Sequence, residues 1–460
     1  MNKLYENIYF IGIGGIGMSA LAQYFLNQGF RVSGYDRVRN EMCIRLEKLG
    51  ITIHYEDNIN MINSYFKNPE NTLVVYTPAI PTTHSELNWF KNNNFKIQKR
   101  SETLGNITSH KKTIAIAGSH GKTSVSGISA HIISNTEKSC TAFIGGILKN
   151  RNSNFIINAK SENIVVEADE YDRSFLNLEP SLALITSVEE DHLDIYENLE
   201  NISSAFQDFA NKTKNKGIVI LNSKIDPKFK ENLRKDLNIY HYGLNNENCD
   251  FYLYNIRYEN GECYFDIKFL KDELKDIKYI FPGNHNFENV LAAASISYLS
   301  GVSLEEIRKG IETFKGIVRR FDYIVKNHEH IYIDDYAHHP SEISAFLTAV
   351  RQIFPNKKLT VIFQPHLYSR TQSFYEEFAK SLSISDDLIL LPIYPAREEP
   401  IPGINSELIL SLVSTKEKQV CEKNNLIELI ESKKPELLVT MGAGDIDQFV
   451  QKIKHIFIKW

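Results

Sequence analysis

The chain has no apolar run approaching the ~18 residues that a membrane-spanning helix needs. It also lacks a basic block: 52 Lys and Arg stand against 57 Asp and Glu, a net charge of −5. A nucleic-acid partner is therefore not expected, nor insertion into a membrane, and small anionic ligands must be held by local sites. The five cysteines, Cys43, Cys140, Cys249, Cys263 and Cys421, are odd in number and scattered, with no C-x-x-C pair. That pattern excludes a zinc or dithiol redox centre and reads as buried thiols in a reducing compartment. The residues before Ile8 have neither the long apolar centre nor the small-residue cleavage site of a signal peptide, so a cytoplasmic protein is expected.

What is present is an ordinary globular composition, 42% apolar and 24% charged, over 460 residues. At ~150 residues per domain that length predicts about three domains. The expected class is α/β, and the organising stretch is Thr113 to Ser124. Here a β-branched apolar run ends in Gly118-Ser119-His120-Gly121-Lys122-Thr123-Ser124, and small and apolar residues follow at helical spacing. A strand, a glycine turn and a helix start turn backbone N–H groups inward on a polyphosphate. Lys122 would reach the outer phosphates, and Thr123 would offer its hydroxyl to magnesium. The loop is shorter than the common phosphate-loop pattern, with Ile116 where a further glycine is usual.

The first third opens on a buried strand, Ile8 to Ile13, and on Gly12-Ile13-Gly14-Gly15-Ile16-Gly17 before a helix predicted from Met18 to Asn27. Asp36, ending the next strand, sits where a ribose-binding acid belongs in a Rossmann domain, though it could equally be a turn residue. A nicotinamide dinucleotide fits this segment, and so does a UDP-sugar, because both carry a pyrophosphate.

In the middle third, a strand from Asn163 runs into Glu167-Ala168-Asp169-Glu170-Tyr171-Asp172, four acids that need a cation such as magnesium beside ATP. Another strand, Leu182 to Thr186, leads to Glu189-Glu190-Asp191-His192, where His192 is a candidate metal ligand. Cys249 to Tyr279 reads as a small antiparallel β patch. His285-Asn286-Phe287-Glu288-Asn289 opens an alanine-rich helix, either contacting a nucleotide or simply capped by Asn286.

In the last third, Arg319-Arg320-Phe321 precedes four apolar strands. These deliver Asp334-Asp335-Tyr336-Ala337-His338-His339-Pro340, Gln364 to Thr371, Ile393 to Glu398, and Met441 to Asp445. Ser341 is read as a helix cap. Four polar strand ends within one segment predict a site at the carboxyl edge of one sheet.

In this order the motifs resemble the Mur ligase family, and within it the members that add the first amino acid in peptidoglycan synthesis. The resemblance implies three domains: a Rossmann-like domain over residues 1–108 binding UDP-N-acetylmuramate, a P-loop ATPase-like domain over 109–316 binding ATP, and a Rossmann-like domain over 317–460 bringing L-alanine. It assigns Lys122 and the Gly118–Ser124 loop to the phosphates, and Thr123, Glu167 and His192 to Mg²⁺. Asn286 and Asn289 would lie by the nucleotide, and Arg320 and Asp335 would link the third domain to ATP. His338 and Arg370 would position L-alanine, while Gly12, Gly14, Gly15, Gly17 and Asp36 would hold the sugar nucleotide. A monomer or a homodimer is expected, the sequence not deciding between them.

Three departures stand out. Ser124 and Val125 replace two threonines, Leu367 replaces an arginine, and Gln207 stands near the position of a modified lysine, so no carbamylated lysine is expected. A ligase adding a whole tripeptide, an NAD-dependent dehydrogenase and a non-catalytic UDP-sugar sensor are the alternatives. The last two leave the Lys122 loop or the acids at Glu167 and Asp169 without a role.

Overall fold

A computed structural model describes residues 5–190, 193–259, 262–396 and 398–460. The chain divides into two compact units. The first comprises Met1–Asn255, Phe265–Ile277 and Glu288–Lys315; the second comprises Ile256–Tyr264, Lys278–Phe287 and Gly316–Trp460.

Within the first unit, a five-stranded sheet runs in the order Thr52–His54, Arg31–Tyr35, Asn7–Ile11, Thr72–Tyr76, Lys96–Lys99, all parallel. The order reverses beside Asn7–Ile11, so a crevice opens at the carboxyl ends, where Gly12 follows one strand and Thr77 the other. Alternation along Asn7–Ile11 sends Ile8 and Phe10 into one core and Tyr9 and Ile11 into another, which is why the strand reads as continuously apolar. The helix Ile16–Asn27 packs on the first of these faces. It begins two residues before the sequence predicts, because the glycine turn closes directly onto the helix.

A larger sheet is built around Lys112–Ala117. Asn163–Glu167 and Leu182–Ile185 flank it in parallel, Ile218–Asn222 and Asn238–Leu244 extend one side, and Thr141–Leu148 with antiparallel Ser153–Ile156 extends the other. Tyr242–Leu244 pairs in parallel with Phe251–Leu253, so Phe251–Glu259, Glu262–Lys268 and Glu273–Tyr279 continue this ten-stranded sheet rather than forming a separate patch. Tyr24 of the Ile16–Asn27 helix lies 5.7 Å from Phe143, which lies 5.3 Å from Phe155. The two sheets thus share one apolar core, each large side chain contributing ~1.5–3 kcal/mol on burial, and that core fixes the glycine helix against the larger sheet.

On its other face, the five-stranded sheet buries a polar cluster. The Tyr9 hydroxyl donates to Glu86 Oε2 at 2.7 Å and lies 2.7 Å from His54 Nε2, while the Asn58 N–H donates to Glu86 Oε1 at 3.2 Å. Burial pushes the Glu86 carboxyl from 4.5 up to about 7, more than these hydrogen bonds pull it back. Between those values the folded protein holds a proton that the unfolded chain has released, so this stabilisation is full below pH 4.5 and lost as pH rises through 7. Relative to the wild type, Glu86→Gln should therefore gain about 1–3 kcal/mol between pH 5 and pH 8 in urea titrations. A parallel pH dependence in the two proteins would contradict this.

The third sheet lies in the second unit, in the order Asp322–Lys326, Ile331–Asp335, Leu437–Met441, Leu359–Phe363, Asp387–Leu390, Glu417–Val420. Only the first of these strands is antiparallel to its neighbour. The parallel strands therefore bring their carboxyl ends to one edge. Ser341 does not cap the helix Pro340–Ile353. Pro340 occupies the first helical position, His339 is the cap residue, and Glu342 accepts from the N–H groups of His338 and His339 at 3.1 and 3.3 Å. Among the described residues no helix is long and apolar enough to cross a membrane.

Candidate active site

The strand Lys112–Ala117 turns through Gly118 into the helix Lys122–Ser134, and Gly121, at φ +83°, is the cap residue. Left-handed backbone at Gly121 suits glycine alone without strain, and a Cβ there would lie 2.5 Å from Asn289 Oδ1. Asn289 thus packs on the Gly118–Ser124 loop. Asn286 does not cap its helix. It is the third residue of Asn284–Leu299, and its amide donates to the Pro282 carbonyl at 2.7 Å.

The loop is clasped by Thr186, Ser187 and Glu189, to which the sequence assigns no role. Ser119 N–H donates to the Ser187 carbonyl at 3.1 Å, and His120 N–H to Ser187 Oγ at 3.1 Å. The Thr186 hydroxyl donates to the His120 carbonyl, and Glu189 N–H to Ser119 Oγ at 2.9 Å. Thr186 and Ser187 follow directly on the strand Leu182–Ile185, the position at which open α/β sheets gather their chemistry.

Lys122 Nζ donates to the carbonyls of Gly118 and Ser119 at 2.6 and 3.1 Å and to Glu170 Oε1 at 2.8 Å. Burial disfavours its charge, but Glu170, helped by Glu167 and Asp169, outweighs burial and raises its pKa. At Glu170 burial wins over Lys122, and the carboxyl is raised. Glu167, the last residue of its strand, accepts from Thr123 Oγ1 at 2.9 Å and from Gly145 N–H at 2.8 Å. A Cβ on Gly145 would overlap that carboxylate. A hydroxyl and a carboxylate side by side at a phosphate loop are the hard oxygen donors that magnesium takes, so the pair fits that ion. Among the described residues no three His, Cys, Asp or Glu gather as metal ligands, and His192 lies outside the described residues. Gln207 donates to the Phe229 carbonyl at 3.1 Å, an amide in a neutral role.

In the first glycine loop, Asp36 Oδ2 accepts from Gly14 N–H at 2.8 Å and Oδ1 from Val38 N–H at 3.1 Å. The carboxylate is committed to bracing the loop, and a Cβ on Gly14 would come within 2.9 Å of it. A cavity of about 350 Å³ joins Gly15 and Gly17 at the start of the glycine helix to Gly145 and Glu167 of the larger sheet and to Asp169 just beyond it. Arg100 also lines it.

In the second unit, Asp335 accepts from Phe321 N–H at 2.6 Å and Ala337 N–H at 2.8 Å, so the carboxylate holds the turn that carries Arg320. Burial pushes Asp335 up to about 6 against the pull of Arg320. Arg319 and Arg320 both lie 5.2 Å from the Tyr336 ring, and Arg319 Nε donates to Asp334 at 3.0 Å. The His338 ring stands 6.2 Å from that of His366, whose Nδ1 is 3.5 Å from Arg370. His366 stacks on Tyr394, and Gln364 donates to Asp445 at 2.8 Å. All four strand ends therefore meet. Burial drives His366 down to about 4 and lowers His338, so both imidazoles are neutral near pH 7. Leu367, at φ +72°, holds its backbone against Tyr394, its N–H donating to that carbonyl at 3.0 Å.

Three family models match in succession: the Mur ligase family catalytic domain over residues 7–112, the Mur ligase middle domain over 116–297, and the Mur ligase glutamate ligase domain over 319–444. The chain belongs to the Mur ligase family. It is similar to the UDP-N-acetylmuramate–L-alanine ligase of Flavobacterium psychrophilum, with 46% identity over 99% of this chain and 98% of that one. The ligase of the same name from Parabacteroides distasonis is 44% identical over 98% of this chain and 97% of its own. Among solved structures, the UDP-N-acetylmuramate-alanine ligase of Thermotoga maritima superposes with a TM-score of 0.83 at 27% identity, covering 98% of this chain and 99% of that one. The α/β fold in three Mur ligase domains is thereby established.

Proposed function

We propose that this Mur ligase joins L-alanine to the carboxylate of UDP-N-acetylmuramate with ATP, through an acyl phosphate, giving UDP-N-acetylmuramoyl-L-alanine, ADP and phosphate for peptidoglycan synthesis in the cytoplasm. The observation that carries the reading is the cavity running from the first glycine helix to Glu167 and Asp169 beside the Lys122 loop. A sugar nucleotide whose diphosphate lies at Gly15 and Gly17 points its sugar acid toward the phosphate loop. The named relatives, at 44% and 46% identity over almost the whole chain, supply the substrates. The domains divide at 1–108, 109–316 and 317–460.

The residues then have defined work. Lys122 exchanges Glu170 for the terminal phosphates of ATP and meets the charge that develops as the sugar carboxylate oxygen attacks the γ-phosphorus and ADP leaves. Thr123 and Glu167, with His192, would hold Mg²⁺, which neutralises polyphosphate charge. Asn286 and Asn289 serve the nucleotide. Arg320, braced by Asp335, binds phosphate oxygens, and His338 with Arg370 orients L-alanine through its carboxylate. The free amine attacks the acyl carbon, and phosphate departs. Excluding water at this stage protects the acyl phosphate from hydrolysis.

Phosphate release from ATP and UDP-N-acetylmuramate tests the reading. L-alanine should give the fastest release, glycine and L-serine less, and the tripeptide none. Release with the tripeptide at or above the L-alanine rate would overturn it in favour of tripeptide ligation.

A further inference from the structure

Arg100 opens the helix Arg100–Thr108, straight after the edge strand Lys96–Lys99 of the five-stranded sheet. Arg100 lines the cavity and donates to Asp169 Oδ2 at 3.0 Å, while the exposed side chains of the neighbouring Lys99 and of Asp172 pair at 3.0 Å. Arg100 also lies on Gly17, where a Cβ would come within 3.1 Å of its Cδ and Nη1. A cation at that spot is poorly placed for the folded chain alone. The first turn of the helix Ile16–Asn27 carries no acid and its cap residue makes no side-chain hydrogen bond, so the positive end of the helix and the guanidinium face the same space. Asp169 offsets this from one side only, and its own side chain is 44% exposed.

From the cavity, the pair and the Gly17 contact together, we infer that Arg100 binds the diphosphate of the sugar nucleotide, and that its bond to Asp169 is the resting state broken when ligand enters. The inference rests on the proposed reading of the cavity as the sugar-nucleotide site. Arginine suits the task, since its planar fork spans two phosphoryl oxygens. Release of Asp169 returns a carboxylate to the acid cluster beside Glu167 at the moment the sugar acid arrives. Arg100 is thus a substrate-binding residue that also reports occupancy to the acidic loop.

The test is calorimetric binding without ATP, using UDP-N-acetylmuramate and UDP-N-acetylglucosamine, which keeps the diphosphate but lacks the lactyl carboxylate. Arg100→Met should weaken both ligands about 10- to 100-fold, the loss of a charge-assisted bidentate contact, with thermal stability and ATP affinity unchanged. Arg100→Lys should recover only part of the loss. Asp169→Asn should bind both ligands about 2- to 5-fold more tightly, because Arg100 no longer has to leave a charged partner. A structural clasp predicts weakening in both variants, so weaker binding by Asp169→Asn would overturn the inference. So would loss by Arg100→Met confined to UDP-N-acetylmuramate, which would assign Arg100 to the lactyl carboxylate. If the wild type binds neither ligand, the proposed function fails first; if it binds both and Arg100→Met binds them equally well, only the inference fails.

Discussion

Lys122→Ala protein is expected to fold, to bind UDP-N-acetylmuramate as the wild type does, and to release phosphate at least about 10³-fold more slowly. The basis is what Lys122 touches. Its ammonium rests on two carbonyls of its own loop and on Glu170, held at the start of its helix rather than extended to solvent. In phosphoryl transfer the protein contributes mainly position and charge, and Lys122 is the cation that the loop itself supplies. Removing it should lower kcat far more than it alters sugar-nucleotide binding. The stability cost should be small, because burial already raises the Glu170 carboxyl and a proton can replace the lost lysine. The double variant Lys122→Ala/Glu170→Gln separates the two effects: it should regain any lost stability and stay inactive. Phosphate release within tenfold of the wild type from either protein would remove Lys122 from the chemistry.

The strands around this site were legible in the sequence because parallel strands buried on both faces read as unbroken apolar runs. Thr72–Tyr76, Lys112–Ala117 and Leu182–Ile185 all do so, and each run ends where polar residues begin, at the carboxyl edge. The glycine turn at Gly118–Gly121 and the acids from Glu167 were legible for the same reason, since each follows such a strand. What local reading missed depends on pairs remote in sequence. Arg100 meets Asp169 across 69 positions, and Gly145 N–H meets Glu167 across 22. Ser119 and His120 are clasped by Ser187, whose ordinary composition carries no local signal.

The two misplaced helix caps have a different origin. At Asn286 and Ser341 a residue suited to capping stands inside a helix that starts earlier, behind a glycine at φ +94° in one case and with a proline in the first turn in the other. Backbone geometry at Gly283 and Pro340 outranked side-chain preference. The outer strands from Phe251 to Tyr279 alternate like a detached hairpin, and only the parallel pairing of Tyr242–Leu244 with Phe251–Leu253 shows that they prolong the sheet.

Glu167→Gln should cut kcat about 10²- to 10³-fold and raise the Mg²⁺ concentration for half-maximal activity by about 10- to 100-fold, with little change in melting temperature. The carboxylate ends a buried strand, accepts a hydrogen bond from the Thr123 hydroxyl on one oxygen and from the Gly145 N–H on the other, and so is held in a fixed direction. Glutamine has the same shape, and its carbonyl can keep one of those bonds. It cannot keep both, and it carries no charge for a cation. Gly145→Ala supplies the complementary perturbation: its Cβ would overlap the carboxylate and displace it while leaving the charge intact. If aim and charge both matter, each variant shifts the Mg²⁺ midpoint upward, the glutamine variant further. A wild-type midpoint in Glu167→Gln would show that the oxygen pair Thr123–Glu167 does not hold the ion. A shift in Glu167→Gln with none in Gly145→Ala would show that charge suffices and that the close approach of the Gly145 backbone serves only packing.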